Sequence, residues 1–280
     1  MMCINKQLPS FLALLCLLVS AALTAQVTTC QVVDENGEPV PFVNVYAPAS
    51  QAGLVTDVDG YFDLFEKFAI EDTLRFSCLS YDDRYLASND LEPGANCRVT
   101  LRSDAIELQN IVVQDERLEF IDSTVGHSEE LPLAFYDFRA PGAENGVLVD
   151  MDRPMLIDKV DIQFGPVTVD TTVLELNFYE VGEDGQPARY LQNKRIIHQV
   201  LGPKLHGAIY SIDLTDERVR TEGPILITLR TLSVADDGQG KLFVGAKMDS
   251  DQGLFRTADN EGWEDPGIHP LIEATVRVIE

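Results

Sequence analysis

The chain has 280 residues, with 46 acidic and 21 basic side chains and a formal net charge of −25. This charge argues against nucleic acid and anionic membrane surfaces as direct partners, because both would repel it. A hydrophobic fraction of 45% suffices for a packed core and excludes a chain that is disordered throughout. At roughly 150 residues per domain, the length predicts two domains.

The first 25 residues have the pattern of a secretory signal. Lys6 precedes an apolar run from Phe11 to Leu18, and small residues follow it up to Ala25. A membrane anchor is the less favoured interpretation, because the run is shorter than the ~20 residues that span a bilayer, and no later stretch has the pattern of a transmembrane helix. The sequence predicts a signal peptide at residues 1–25 and an exported protein that is periplasmic, outer-membrane-associated or secreted.

Three cysteines follow the predicted signal: Cys30, Cys78 and Cys97. An odd number in an exported protein leaves at least one thiol unpaired, and any two of the three can form a disulfide. The alternative is three buried thiols, because free cysteine is among the most buried residue types. The flanking residues are typical of strand interiors, which favours buried thiols slightly, and the sequence leaves the pairing open.

Residues 27–102 alternate short apolar segments with turns. Asp34–Gly37 and Asp57–Gly60 each end in a glycine, which supplies the positive φ that a tight turn needs. Strands are predicted at 31–33, 42–46, 53–56, 61–64, 74–81 and 97–101. Several short strands at this spacing, without a helical period, predict a small β-sandwich.

The order of motifs in this region is D-x-x-G-x-P-V-P-F-V-x-V, then G-x-x-T-D-x-x-G-x-F, then L-x-F-S-x-x-x-Y. It resembles the carboxypeptidase regulatory-like domain through Asp34, Gly37, Pro39, Pro41, Thr56, Asp57, Gly60 and Phe62. The resemblance implies a seven-stranded, transthyretin-like (prealbumin-like) sandwich at residues 26–103, in which these positions shape turns and core. It implies no peptidase activity. It also implies a bacterial cell-envelope setting, where this domain often precedes TonB-dependent receptors.

The rest of the chain divides into a connector and a second domain. Residues 104–146 are polar and irregular, and they predict a partly extended linker. Apolar and polar residues then alternate at 160–164, 174–179, 225–230 and 273–278. About eight or nine strands predict a second, jelly-roll-like sandwich at 147–280. This half resembles the uncharacterised domain that follows the regulatory-like domain in other short exported proteins, and that resemblance implies no activity.

The segment 249–270 is acidic and contains the only tryptophan, Trp263. Asp249 and Asp251 offer oxygen ligands at a spacing that suits Ca²⁺, although a solvated acidic loop is the favoured alternative because a full calcium loop has more acids. Trp263 can serve a ligand by stacking on a sugar face. The favoured alternative is a tryptophan that covers one end of the core.

Catalytic motifs are not recognised. A zinc carboxypeptidase needs an H-x-x-E ligand pair and a distant histidine, and none of the four histidines is assigned to such a set. Carboxylate pairs such as Asp249 with Asp251, or Glu261 with Glu264, would serve glycoside hydrolysis only if they faced each other across a cleft. We therefore predict no enzyme and no cofactor other than a speculative Ca²⁺.

These observations favour a non-catalytic, exported binding or assembly protein whose partner is an envelope protein or a glycan. The second hypothesis is a carbohydrate-binding module that uses the acidic segment around Trp263. The third and least favoured is a hydrolase with an acidic site.

Overall fold

The structure is a computed structural model that describes residues 29–69, 71–92, 97–104, 120–129, 134–151, 153–236, 238–248, 252–258 and 260–279. The predicted signal peptide lies outside these residues. The described chain is built almost entirely from strands, which form two sandwiches. This confirms the all-β class that the alternating patterns predict.

The first sandwich has seven strands: β1 (Thr29–Val33), β2 (Asn44–Ala47), β3 (Ala52–Val55), β4 (Tyr61–Asp63), β5 (Thr73–Ser77), β6 (Arg84–Ala87) and β7 (Arg98–Thr100), with a short helix α1 (Leu64–Lys67) after β4. One sheet has the order β4-β1-β7 and the other β3-β2-β5-β6. Their inner faces enclose an apolar core that includes Val32, Val45, Phe62 and Phe76.

Two glycine turns of this sandwich are built in the same way. The Asp34 carboxylate accepts hydrogen bonds from the amides of Asn36 and Glu38, and the Asp57 carboxylate accepts them from Asp59 and Tyr61. Gly37 and Gly60 then adopt φ of +85° and +75°. The D-x-x-G motifs are therefore turn motifs, because an aspartate satisfies the amides of a loop that only glycine closes without strain.

A disulfide joins Cys30 to Cys97, whose Cα atoms are 4.6 Å apart. The preference for three unpaired thiols is therefore wrong, and among the described cysteines only Cys78 is free. The reason lies in the pairing of the first and last strands: β1 and β7 are parallel neighbours, with Gln31 opposite Arg98, so the two preceding cysteines lie side by side.

The second sandwich contains β8 (Phe120–Gly126), β9 (Ala134–Asp137), β10 (Glu144–Val149), β11 (Met155–Val167), β12 (Thr171–Val181), β13 (Pro187–Tyr190), β14 (Ile196–Leu201), β15 (Ile209–Asp213), β16 (Val219–Thr221), β17 (Ile225–Ala235), β18 (Leu242–Met248), β19 (Gly253–Thr257), β20 (Asn260–Glu264), β21 (Ile268–Pro270) and β22 (Ile272–Ile279). One sheet has the order β13-β12-β17-β10-β19-β20, with β14 also paired to β12. The other has the order β21-β18-β11-β22-β8, with β9, β15 and β16 attached.

The second sandwich begins before Val147, where the sequence pattern placed its start. Strands β8 and β9 and the start of β10 lie within the predicted linker 104–146, and they pair with β22, β18 and β17 respectively. Strand β8 is an edge strand with mostly exposed side chains, so it lacks the one-sided apolar alternation that reveals a strand.

The two faces of strand β12 point in different directions. Leu174, Leu176 and Phe178 pack in the main core between the two sheets. Glu175 and Tyr179 project from the other face, yet both are also buried. The first sandwich lies against this outer face, where the Arg230 side chain of β17 donates a hydrogen bond to Asn44 of β2 over 3.1 Å. The junction of the two sandwiches is thus lined by residues whose alternation predicts solvent exposure.

Candidate functional site in the cleft between the sandwiches

Four charged residues form a row across four neighbouring strands at this junction. Glu175 of β12 lies opposite Arg230 of β17, Arg230 opposite Glu144 of β10, and Glu144 opposite Arg256 of β19. Carboxylates and guanidinium groups therefore alternate along one line of the sheet. Cross-strand neighbours of opposite charge attract each other, and their burial strengthens the attraction.

Glu144 has no exposed surface and is fully hydrogen-bonded. Its Oε2 accepts from Nε and Nη2 of Arg256 at 2.9 and 2.6 Å. Its Oε1 accepts from Asn177, Thr228 and the Tyr179 hydroxyl. Burial alone would raise the pKa of Glu144, but the charges of Arg256 and Arg230 outweigh burial and hold the pKa below its ordinary value.

Glu175 joins the row to the first sandwich through Arg195. The Arg195 Nε donates to Glu175 over 2.6 Å, and its Nη1 donates to the carbonyl oxygen of Pro41 over 2.7 Å. Its Nη2 donates to the carbonyl oxygen of Phe42 over 3.3 Å. Burial acts to lower the pKa of Arg195, but the neighbouring Glu175 carboxylate raises it overall. Arg195 thus stays charged while it clamps the Pro41–Phe42 turn.

A cleft of about 540 Å³ lies above this row. The first sandwich contributes the turn at Phe42, the end of β5 and the turn that follows it, and the second contributes β13 and the charged row. Its lining includes Arg75, Arg189, Arg195, Arg230 and Arg256. These are five of the 21 basic residues of a chain with a net charge of −25, and they outnumber the three acidic residues of the lining, Asp83, Asp104 and Glu175.

Aromatic rings form the far wall of the cleft. The Arg256 guanidinium lies 4.4 Å from the centre of the Trp263 ring, and the Trp263 ring meets the Tyr179 ring edge-on at 5.4 Å. Tyr190 packs beside Tyr179 at 4.5 Å. Because Trp263 is only half-buried on the edge strand β20, part of its ring faces the cleft. Trp263 thus combines a packing role with access to the cleft.

Two lining residues have unfavourable backbone conformations. Phe42 has φ of +55° and Ser80 has φ of +72°, in the left-handed region that glycine usually occupies. Ser80 also donates a hydrogen bond to the Asn193 carbonyl of the second sandwich over 3.2 Å. Strained residues of this kind are often found at binding sites, which suits a functional role for the cleft.

The two buried carboxylates beside the cleft, Glu144 and Glu175, are both held by arginines. A glycosidase acid needs a carboxyl whose pKa is raised, whereas arginines lower that of Glu144, and Glu175 is paired with Arg195. Burial raises the pKa of the Cys78 thiol despite the nearby Arg195, so the thiol stays protonated and weakly nucleophilic. The arrangement is suited to holding a polar or anionic ligand rather than to acid–base or thiol chemistry.

The predicted site residues are only partly in this cleft. Trp263 lines it, whereas Asp249 and Asp251, the speculative Ca²⁺ ligands, lie outside the described residues. The segment 249–270, expected to be a loop, contains strands β19, β20 and β21. Sequence reasoning missed the charged row, since Glu144, Glu175 and the arginines follow no spacing motif. The only signal in the sequence was a charged residue within each of these four strands. It does not show that the four residues lie opposite one another in the sheet.

A second polar cluster lies at the far side of the second sandwich. The rings of His127 and His269 are 4.5 Å apart, and His127 is 2.6 Å from the side-chain oxygen of Gln252. One H-x-x-E spacing does occur in the chain, because Glu130 follows three residues after His127. The expectation that no histidine belongs to such a pair is therefore wrong at the level of sequence. Glu130 lies outside the described residues, and within them no group of three or more His, Cys, Asp or Glu side chains is placed to hold a metal.

His198 and His206, which flank the Gly202-Pro203 turn, have separate partners. His198 contacts the Tyr210 hydroxyl at 3.1 Å, and His206 contacts the carbonyl oxygen of Val167 at 2.8 Å. Both therefore have ordinary structural contacts and do not meet each other.

Residues 29–113 match the family model of the CarboxypepD_reg-like domain. The match covers the first sandwich and confirms the family that its turn motifs resemble. A search of curated proteins found no match for the chain. In the described part of the chain, no helix is long and apolar enough to cross a membrane.

Solved structures share only a loose likeness with the chain. The clostridial cysteine protease Cwp84 after propeptide cleavage is 11% identical with a TM-score of 0.41, over 81% of this chain and 51% of that one. A structure of the cysteine protease and lectin-like domains of Cwp84, a surface layer associated protein of Clostridium difficile, is 12% identical with a TM-score of 0.35, over 51% of this chain and 35% of that one. The VP2 subviral particle of infectious bursal disease virus is 13% identical with a TM-score of 0.27, over 81% of this chain and 45% of that one. The chain thus spans about half the length of these matched structures, or less.

Proposed function

We propose that this protein is an exported, non-catalytic binding protein of the cell envelope, and that the cleft between its two sandwiches is the ligand site. The charged row Glu175–Arg230–Glu144–Arg256 is the observation that carries the proposal. Removing charges from water is expensive, and a buried ion pair is often no more stabilising than apolar residues of similar size. A binding role accounts for keeping these charges at the floor of a cleft.

Export is supported by the disulfide between Cys30 and Cys97. Disulfides persist in oxidising compartments and are rare in a reducing cytosol. The predicted signal peptide at residues 1–25 and the regulatory-like domain lead to the same location. Mass spectrometry of the protein from its own cells tests this part, and a mature chain that begins at Gln26 is the expected result.

The regulatory-like domain has a direct part in this binding site. The carbonyl groups of Pro41 and Phe42 fix Arg195, which in turn holds Glu175, so the first sandwich orders the floor of the cleft. The domain is therefore one wall of a shared site rather than a separate docking module on a flexible tether. Assembly with an envelope partner remains part of the proposal, with the ligand carried on that partner or free.

The binding proposal is tested by blocking the cleft. Ala188 lines the cleft on the exposed edge strand β13, so Ala188→Trp would fill it with little effect on folding. Ala235→Trp, at the exposed end of β17 outside the cleft, is the matched control. Tagged protein is used to capture partners from mildly solubilised envelope of its own cells, and mass spectrometry identifies captured proteins and released small molecules.

We expect a partner or small molecule with the wild type and with Ala235→Trp, and its loss with Ala188→Trp. Equal capture by all three would place binding outside the cleft. Capture of nothing by the wild type would contradict a binding role in the envelope.

A further inference from the structure

The inner wall of the cleft has an unbalanced charge. Three arginines and one glutamate line it, Arg195, Arg230, Arg256 and Glu175, and the fully buried Glu144 is paired with Arg256 next to it. At the rim, Arg75 pairs with Asp83 and Arg189 with Glu180, while Asp104 is exposed to water that screens it. One positive charge is therefore left over in the buried part of the cleft, and a ligand with one negative charge would balance it.

Two arginines of the wall have hydrogen-bond donors to spare. The Nη1 of Arg230 is 3.8 Å from Glu175, which is longer than a hydrogen bond, and its Nε is buried without a partner. The hydrogen bonds of Arg256 come from Nε and Nη2, so within the described residues its Nη1 donates none. A buried donor without an acceptor, such as Nε of Arg230, is costly, and an oxygen atom of a ligand would satisfy it.

The remaining lining suits a ring that has both polar edges and an apolar face. Trp263 and Tyr190 offer aromatic surface, while Ser77 and Tyr81 add hydroxyl groups. An aromatic face beside hydroxyl groups suits a ring that is apolar on its face and polar at its edge. The volume of about 540 Å³ lies in the range of small-molecule sites.

From these features we infer that the cleft binds an acidic saccharide through one sugar ring that carries a single carboxylate group. The carboxylate lies against Arg230 and Arg256, and a sugar ring lies against Trp263. A carboxylate fits better than a phosphate, because it is planar, matches the fork of a guanidinium group and carries only the one charge that the wall lacks. This inference rests on the proposed function, since it names the ligand class of the same cleft.

The test is isothermal titration calorimetry of the purified protein with three probes. Trigalacturonate carries carboxylates on sugar rings, its fully methyl-esterified form has the same rings without charge, and an N-acetylated tripeptide carries a carboxylate without sugar. We expect binding of trigalacturonate, at least tenfold weaker binding of the ester, and no measurable binding of the peptide.

Each other outcome is decisive. Equal binding of acid and ester would overturn the role of charge but leave the proposed binding function intact. Preferred binding of the tripeptide would overturn the saccharide and indicate a peptide terminus as the ligand. No binding of any probe would overturn this inference, while the envelope capture experiment would still decide the proposed function independently.

A pair of variants assigns the binding to the arginines. Arg230→Gln removes a charge from the wall but leaves Glu175 paired with Arg195, so the fold is expected to persist, as circular dichroism would verify. Arg139→Gln, at the exposed Asp137 pair outside the cleft, is the matched control. We expect Arg230→Gln to weaken trigalacturonate binding at least tenfold and Arg139→Gln to leave it within twofold. Equal affinity of both variants would contradict the placement of the carboxylate.

Discussion

The two sandwiches differ in how deeply they bury ion pairs. In the first, the Arg75–Asp83 ion pair is partly exposed, with 31% and 39% of the two side chains accessible, and the buried carboxylate of Asp72 accepts from the neutral donors Ser50 and Ala69. In the second, Glu144 and Glu175 are buried against arginines.

The difference follows from the size of the two cores. The described core of the first sandwich has 15 buried residues, and that of the second has 28. Burial of a small core contributes little more free energy than the entropy cost of ordering the chain. The first sandwich therefore relies on its hydrogen-bonded turns and its disulfide for stability. The larger core gives enough free energy to tolerate the desolvated charges beside the cleft.

The largest effect is expected from breaking the buried ion pair of the second sandwich. Arg256→Met leaves the Glu144 carboxylate buried without its strongest partner, and we expect a loss of roughly 3 to 5 kcal/mol in the free energy of unfolding. Urea denaturation followed by fluorescence measures it. The double variant Glu144→Gln with Arg256→Met removes the stranded charge and should recover much of the loss. A loss of less than about 1 kcal/mol for Arg256→Met would mean that water reaches the Glu144 carboxylate and that it is not left as an unpaired buried charge.

A loss of similar or slightly smaller size is expected from removing the disulfide of the first sandwich. The bond closes a loop with a sequence separation of 67, and Cys30→Ser with Cys97→Ser should lower the free energy of unfolding by about 4 kcal/mol. Hydrogen exchange should show the loss in β1 and β7, with β12 and β17 less affected. Cys78→Ser is the control, and it should change neither the free energy of unfolding nor the hydrogen exchange of these strands. Uniform deprotection of both sandwiches would show that they unfold as one unit.

An intermediate effect is expected from acid, and it acts on the second sandwich through His269. Burial, with the neighbouring His127 and Lys247, lowers the pKa of His269 from 6.5 to about 4. Between pH 6.5 and about 4, His269 is therefore protonated in the unfolded chain but neutral in the folded one. The free energy of unfolding is highest above pH 6.5 and falls as the pH drops to about 4. Because water screens the partly exposed neighbours, we expect a fall of roughly 2 kcal/mol, less than the full shift in pKa would give. An NMR titration of the His269 ring checks it, and a midpoint near 6.5 would be incompatible with this explanation.

The smallest effect is expected from alanine at Gly37, and the same substitution at Gly60, in the other glycine turn of the first sandwich, should cost more. A Cβ added at Gly37 meets nothing within 4 Å, whereas one added at Gly60 lies 2.6 Å from the Val32 carbonyl oxygen. Gly37→Ala should cost about 1 kcal/mol through its positive φ alone. Gly60→Ala should cost roughly 1 to 3 kcal/mol more, because the backbone has to move. Thermal melting of the two variants measures the losses of stability. Equal losses would mean that the backbone at Gly60 moves away from the Val32 carbonyl oxygen at little cost.

Sequence reasoning succeeded where structure is local. The D-x-x-G turns and the alternation at 174–179 and 225–230 predicted the turns, the strands and the class of fold, because each depends on neighbours in the chain. The same alternation assigned Glu175 and Arg230 to a polar face correctly. It could not show that the first sandwich covers this face and turns it into a cleft.

Features that depend on strand pairing were not predictable. The Cys30–Cys97 bond requires that β1 and β7 be parallel neighbours, and the charged row requires the register of four strands that are distant in sequence. Trp263 was singled out from its type alone. Its contact with Arg256, whose guanidinium lies 4.4 Å from the ring centre, depends on the pairing of β19 with β20.

The way Arg195 contacts the first sandwich has a consequence for how such proteins diversify. It recognises the carbonyl groups of Pro41 and Phe42, and carbonyl groups are the same in every amino acid. Side chains around this turn can therefore change while the joint persists, provided that the backbone keeps its path. A joint of this kind leaves most side chains of the regulatory-like domain free to vary, provided that it keeps Asn44, whose side chain accepts from Arg230.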